Sequence, residues 1–332
     1  MLLDKLPRIP LAFIPTPLQK TERLAQKIGL KSLYIKRDDQ TGLALGGNKV
    51  RKLEYLLADA QKNNADIILT VGGPQSNHCR MTAAAARACG FECALIFGGS
   101  EIQEVQGNMV LDKLLKAKWY FSGEQDRDVK MQEIAEMYSK KGKKPYIIPL
   151  GGSNALGAMG YVKAGLELAQ QCKEQDIDPD YIFCASGSGG TQAGLILGCH
   201  LGGLSSRVIG ISVSGSADEL TEKINMLLVE MGASLDVDVS CLHPVTVYDE
   251  FVGEGYGRPT ELSQRALEYM ASEEAIIIDP VYTAKGFAGL IGKLEQNKIT
   301  KDSTVVFVHT GGMPALFADT DLYWKPDTDI TR

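Results

Sequence analysis

Lys49 follows a glycine pair, Gly46-Gly47, and precedes a second cation, Lys52, three positions on. Side chains three apart share a helix face, and a neighbouring positive charge lowers the pKa of an amine. A lysine that condenses with a carbonyl needs that neutral form. Taken alone, the pair reads more readily as two solvated charges on a helix surface. Ser186-Gly187-Ser188-Gly189-Gly190-Thr191 lies between the apolar run Tyr181 to Ala185 and a helical pattern starting near Gln192. Amides and hydroxyls at a helix N-terminus cradle phosphate; a tight strand-to-helix turn is the plainer alternative. The spacing is neither GxGxxG nor that of a P-loop, which argues against dinucleotides and nucleoside triphosphates.

Gln75-Ser76-Asn77-His78 comes after the apolar run Ile67 to Val71 and a Gly72-Gly73-Pro74 turn, ahead of a helix starting near Cys79. Ligands in open α/β sheets sit outside the carboxyl ends of the strands, so an amide, a hydroxyl and helix-end donors there suit a carboxylate. Ser76 or Asn77 also suits an N-cap, but four polar residues exceed what a cap requires. Asp279-Pro280-Val281-Tyr282-Thr283 and His309-Thr310-Gly311-Gly312-Met313 follow two later apolar runs and bring hydroxyls to the same edge. A core aromatic for Tyr282 and a capped loop histidine for His309 are their plainer readings.

The elements that must position these residues alternate between short apolar runs and helical periodicity, as in a parallel α/β sheet. Strands are expected at 33–36, 67–71, 93–97, 147–150, 181–185, 208–213, 275–278 and 304–308. Helices are expected around 50–60, 81–89, 105–116, 129–140 and 158–171. Gly151 to Gly157 suits a crossing between lobes. At 332 residues two lobes are more plausible than one core. A net charge of -6 and a pI near 5.4 argue against nucleic acid. No apolar run approaches the roughly 20 residues that span a bilayer, and the first residues lack a secretory pattern. The seven cysteines are scattered, without a CxxC pair, and suit a reducing compartment better than a metal site. A soluble cytoplasmic protein that handles small molecules is expected, with no metal.

In this order the segments resemble the 1-aminocyclopropane-1-carboxylate deaminase and D-cysteine desulfhydrase family, pyridoxal 5'-phosphate enzymes of the tryptophan synthase β-like fold. The likeness covers nearly the whole chain. Its landmarks are Ile35 to Asp39, Gly46 to Glu54, Gln75 to His78, Gly151 to Tyr161, Ser186 to Gly194, Gly255 to Gly257, Asp279 to Lys285 and His309 to Phe317. It implies two lobes of three-layer αβα open twisted sheets, the small one residues 46–157 and the large one residues 1–45 with 158–332. It further implies that Lys49 carries the cofactor and is the default base at the substrate α-carbon. Gly187, Ser188, Gly189, Gly190, Thr191 and Lys52 would bind the phosphate, and Asn77 the 3-oxygen. Ser76 and Gln75 would hold the substrate carboxylate, with His78, Tyr256 and Tyr282 on the substrate side. Ser76 and Tyr282 join Lys49 as candidate catalytic residues, and a homodimer is implied.

Ring-opening members carry an acid after the site tyrosine and a leucine after the late histidine, where this chain has Thr283 and Thr310. A carboxylate beside the pyridine nitrogen keeps it protonated and deepens the electron sink; a threonine does not. Expelling a thiolate from a β-carbon needs the weaker sink. The expected activity is therefore β-elimination from D-cysteine to pyruvate, hydrogen sulfide and ammonia. Release of sulfite from L-cysteate, cyclopropane deamination and a catalytically inactive binding protein are the alternatives.

Overall fold

Branched and aromatic runs become strands buried on both faces, as a parallel sheet covered by helices requires. The computed structural model describes residues 1–318. Residues 319–332, the end of the expected large lobe, lie outside the described residues. The strands are β1 (Leu18–Lys20), β2 (Ser32–Lys36), β3 (Ile67–Gly72), β4 (Glu92–Phe97), β5 (Lys118–Phe121), β6 (Pro145–Ile148), β7 (Tyr181–Ser186), β8 (Arg207–Ser212), β9 (Thr246–Tyr248) and β10 (Thr304–Val308). The helices are α1 (Glu22–Ile28), α2 (Lys49–Lys62), α3 (Asn77–Ala88), α4 (Asn108–Leu114), α5 (Arg127–Lys140), α6 (Ala155–Glu174), α7 (Gly190–Leu201), α8 (Ala217–Leu235), α9 (Glu261–Glu274) and α10 (Thr283–Glu295).

They form a sheet ordered β1-β2-β10-β7-β8-β9, parallel except for β1, and a parallel sheet ordered β5-β4-β3-β6. Each is covered on both faces, giving the expected three layers. One face of the larger sheet packs Ile182, Cys184 and Val306 against α6, α7 and α8, and the other packs Phe183, Ile209 and Phe307 against α1, α9 and α10. In the smaller sheet, Ile68 and Leu95 meet α2 and α3, while Leu69 and Ile96 meet α5. No helix among the described residues is long and apolar enough to cross a membrane.

Helix α2, which carries Lys49, is tied to the larger sheet by a buried ion cluster. Arg51 donates to both carboxylate oxygens of Asp38, at 2.9 and 2.8 Å, and to both of Glu167 on α6, at 2.9 Å each. Lys36 adds a second cation on Glu167, and Tyr161 donates to Asp38. Contact with α6 is close because Gly160 lacks a side chain: a Cβ there would lie 2.0 Å from the Arg51 carbonyl oxygen.

Two expectations change. Residues 275–278 form no strand: Ala275 ends α9 in the left-handed region at φ 53, and Ile276 and Ile278 bury themselves outside any ladder. The sheet edge is filled instead by β9, which, with β1 and β5, is too short to show a period in sequence. Helix α3 begins at Asn77 and α7 at Gly190, each two residues earlier than expected. The Gly151 to Gly157 stretch joins β6 to α6 through a single turn, Leu150–Gly152.

Candidate active site

The carboxyl ends of β3, β7, β8 and β10 open into one cavity of about 320 Å³, where the sheet-edge argument places a ligand. From the smaller-sheet side it is lined by Asn48, Lys49, Gly73, Ser76, Asn77 and His78; from the larger side by Ser186 to Gly189, Thr191, Tyr256, Tyr282 and Thr310. No carboxylate is among the described residues that line it.

Lys49 opens α2 after Gly46 and Gly47 turn the chain at φ 68 and 129. Glycine is required at 47 on two counts: the positive φ and the approach of Thr310, whose carbonyl oxygen would lie 3.1 Å from a Cβ. The Asn48 amide donates to that same oxygen at 2.9 Å. Arg80 donates to the carbonyls of Ala44 and Gly46, and the Asn48 side chain reaches Thr191 Oγ1 at 3.0 Å. Burial lowers the pKa of Lys49 to about 8. The cause is thus desolvation, not the expected charge of Lys52. Lys52 is itself held well below its usual value, first by burial and then by Lys49.

The glycine-rich loop fills its expected place ahead of α7. Ser188 Oγ lies 2.7 Å from Ser153 Oγ, which also accepts from the Gly190 amide and from Lys52 Nζ at 2.9 Å. Lys52 thus stands behind the loop, outside the cavity wall. Ser186 is buried and its hydroxyl has no partner among the described residues.

On the other wall Ser76 does both things its position suggested: it faces the cavity and caps α3, accepting from the Cys79 amide. Asn77 Oδ1 accepts from Asn108 Nδ2 at 3.1 Å, so Asn77 Nδ2 is presented as a donor. Thr70 donates to the Ile148 carbonyl and must therefore accept from His78 Nε2 at 2.7 Å, which leaves His78 Nδ1 a bare acceptor. Burial, then the charges of Lys49 and Lys52, hold His78 well below its usual pKa, so the ring is neutral.

Two expected residues are turned elsewhere. Gln75 accepts from the Asn108 amide and donates to the Gln106 carbonyl, so it buttresses the turn and does not line the cavity. Thr283 is fully buried against Asp279, donating to its carboxylate at 2.6 Å. That carboxylate also accepts from the amides of Val281, Tyr282 and Thr283, which fixes Tyr282 at the start of α10. Tyr282 and Tyr256 meet hydroxyl to hydroxyl at 2.5 Å. Sequence reasoning missed Asn48, Ser153 and Asn108. The first two adjoin glycine pairs already singled out, a usable signal; Asn108 has none.

Residues 9–311 match the family model described as "Pyridoxal-phosphate dependent enzyme". The chain belongs to the pyridoxal-phosphate-dependent enzymes. It is 40% identical over 322 residues to the D-cysteine desulfhydrase of Klebsiella pneumoniae (strain 342), covering 95% of this chain and 97% of that one. The D-cysteine desulfhydrase of Serratia proteamaculans (strain 568) is 39% identical over the same length. Among solved structures, an ACC deaminase homologue superposes with a TM-score of 0.89 at 38% identity, covering 96% of each chain. The residues of the enzyme fit the cofactor: an amine of lowered pKa, an amide donor and a helix-end cradle with a buried hydroxyl that has no partner among the described residues share one cavity.

Proposed function

We propose that this enzyme is a carbon-sulfur lyase that eliminates hydrogen sulfide from D-cysteine, leaving pyruvate and ammonia. The observation that carries the reading is a cavity with the Lys49 amine and a phosphate cradle but, among the described residues, no carboxylate, Thr310 standing at the wall instead. Its relatives at 40% identity over nearly full length support the same substrate. Bound there, pyridoxal phosphate supplies an electron sink for the pair released at the substrate α-carbon. Lys49 Nζ takes the α-proton. Gly187 to Thr191, with Lys52 behind, would hold the cofactor's phosphate at the α7 N-terminus. Asn77 Nδ2 would hold the cofactor's 3-oxygen, and Thr310 would be the partner of its ring nitrogen.

Ser76 and the first amides of α3 bind the substrate carboxylate, while Tyr282, whose hydroxyl meets that of Tyr256, is the proposed proton donor to the departing sulfur. Residues 46–157 form the small lobe. A cytoplasmic homodimer is part of the proposal, and light scattering should give twice the mass of one chain. The purified holoenzyme should yield sulfide and pyruvate from D-cysteine but not from L-cysteine, and Lys49→Ala should abolish both. Formation of 2-oxobutanoate from 1-aminocyclopropane-1-carboxylate at a comparable rate would overturn the assignment.

A further inference from the structure

Tyr256 and Tyr282 meet at the cavity wall, yet Tyr256 arrives on a segment with no helix or strand of its own, residues 249–258. The glycines on either side of it, Gly255 and Gly257, lie at φ 134 and 75, so the local backbone does not by itself fix where the ring points. Helix α10 fixes it. Lys285 stands one turn on from Tyr282, is fully buried, and donates from Nζ to the carbonyl oxygens of Val252 and Gly255 at 2.6 Å each. The start of α10 thus carries both the hydroxyl that meets Tyr256 and the amine that holds the backbone beside it. Farther along, Lys293 pairs with Glu250 at 2.6 Å and lies 3.6 Å from the centre of the Tyr248 ring, which anchors the other end of the segment. Lys285, by contrast, has no carboxylate partner among the described residues. Burial lowers its pKa to about 8, and either form of the amine keeps two N–H donors for the two carbonyls. Burying an amine costs more than burying an apolar stem, so packing alone does not account for a lysine here.

Once Tyr282 gives up its proton, its oxygen can only accept, and the Tyr256 hydroxyl at 2.5 Å is the donor that meets it. We infer that Lys285 is a positioning residue for sulfur release: by holding the Val252 and Gly255 carbonyls it keeps the Tyr256 hydroxyl on Tyr282. This rests on the lyase reading. In the step concerned, the electron pair from the α-carbon forms the Cα–Cβ double bond and the Cβ–S bond breaks with its pair on sulfur. The Tyr282 proton goes to that sulfur, and Tyr256 donates to the phenolate left behind; nothing is oxidised or reduced. A substrate whose β-substituent leaves as a stable anion, such as chloride, has no need of that proton and so does not depend on the tyrosine pair.

The test compares wild-type holoenzyme with Lys285→Met, which keeps the stem and removes the donors. Hydrogen exchange of residues 250–258, followed by mass spectrometry, should quicken about tenfold or more in the variant, the scale of hydrogen bonds to a charged group. General acid assistance is worth roughly 100–10,000-fold, so its partial loss should lower kcat for D-cysteine about 10–100-fold, with KM little changed and β-chloro-D-alanine slowed less than about twofold. Lys293→Met, which frees only the far end of the segment, should leave the ratio of the two rates as in wild type. Tyr256→Phe should reproduce the changed ratio without faster exchange, and it reads the same dependence should Lys285→Met fail to fold. Unchanged exchange in Lys285→Met, an equal loss on both substrates, or an unchanged ratio in Tyr256→Phe overturns the inference. Faster exchange in Lys285→Met, with no pyruvate from either substrate in wild type, would instead sink the lyase reading and leave the hold of Lys285 on the Tyr256 segment standing.

Discussion

Lys49 and Asn77 carry the two residue-scale consequences. Because burial brings the Lys49 pKa down to about 8, the amine is mostly protonated below that pH and free above it. Only the free amine attacks an aldehyde, so apoenzyme should take up cofactor faster as pH rises through about 8, followed by absorbance; a flat profile between pH 7 and 9 would contradict this. Asn77 depends on Asn108, whose Nδ2 holds its carbonyl oxygen while Arg80 holds the other end of the Asn108 amide. Asn108→Asp puts an acceptor against an acceptor and turns the Asn77 amide out of place. Cofactor affinity should fall roughly 5–30-fold, the loss of one or two hydrogen bonds, with a shifted cofactor absorbance band; unchanged affinity and spectrum would dismiss the role.

Helix α2 is the element on which the site depends, since it carries Lys49, Arg51 and Lys52 together. Burial alone would raise the Asp38 pKa, but Arg51, then Lys36 and the Tyr161 hydrogen bond, hold it at about 2. A carboxyl depressed from 3.8 contributes stability above that value and loses it as pH falls through about 2. Asp38→Asn leaves Arg51 with part of its charge unmatched in a buried setting, a loss of about 3–5 kcal/mol, visible as a lower urea midpoint at neutral pH. Gly160→Ala drives a methyl into the Arg51 carbonyl and should cost about 1–3 kcal/mol by overpacking. If α2 does set the site, weaker cofactor binding must accompany that loss; unaltered binding would separate the helix contact from the site.

Across the whole molecule, the cavity exists only where the two sheets face each other, and each supplies half of its wall. A ligand that touches both halves binds the folded chain alone, so cofactor at a hundredfold excess over its Kd should add about 2.7 kcal/mol of stability. Calorimetric scans of apoenzyme and holoenzyme should separate accordingly; superimposable scans would mean that the cofactor does not bridge the lobes.

Much of this was legible in the chain. Buried parallel strands read as apolar runs, glycine pairs marked the turns at 46–47 and 189–190, and polar residues after a strand must face the sheet's carboxyl edge, because parallel connections leave them no other exit. What could not be read were effects that require distant segments to meet. Thr283 follows a site tyrosine in sequence, yet the α10 turn points it at Asp279 and away from the cavity; Gln75 is claimed by a helix start thirty-three positions on. Arg127, the first residue of α5, lines the cavity yet carries no motif; its stem packs where Gly98 has no side chain. Sequence thus determined which groups and which turns are present. Tertiary structure decided which of them share a cavity, how far Lys49 is desolvated and which charges are left unpaired, since solvent exclusion and close approach are properties of packed neighbours and not of spacing along the chain.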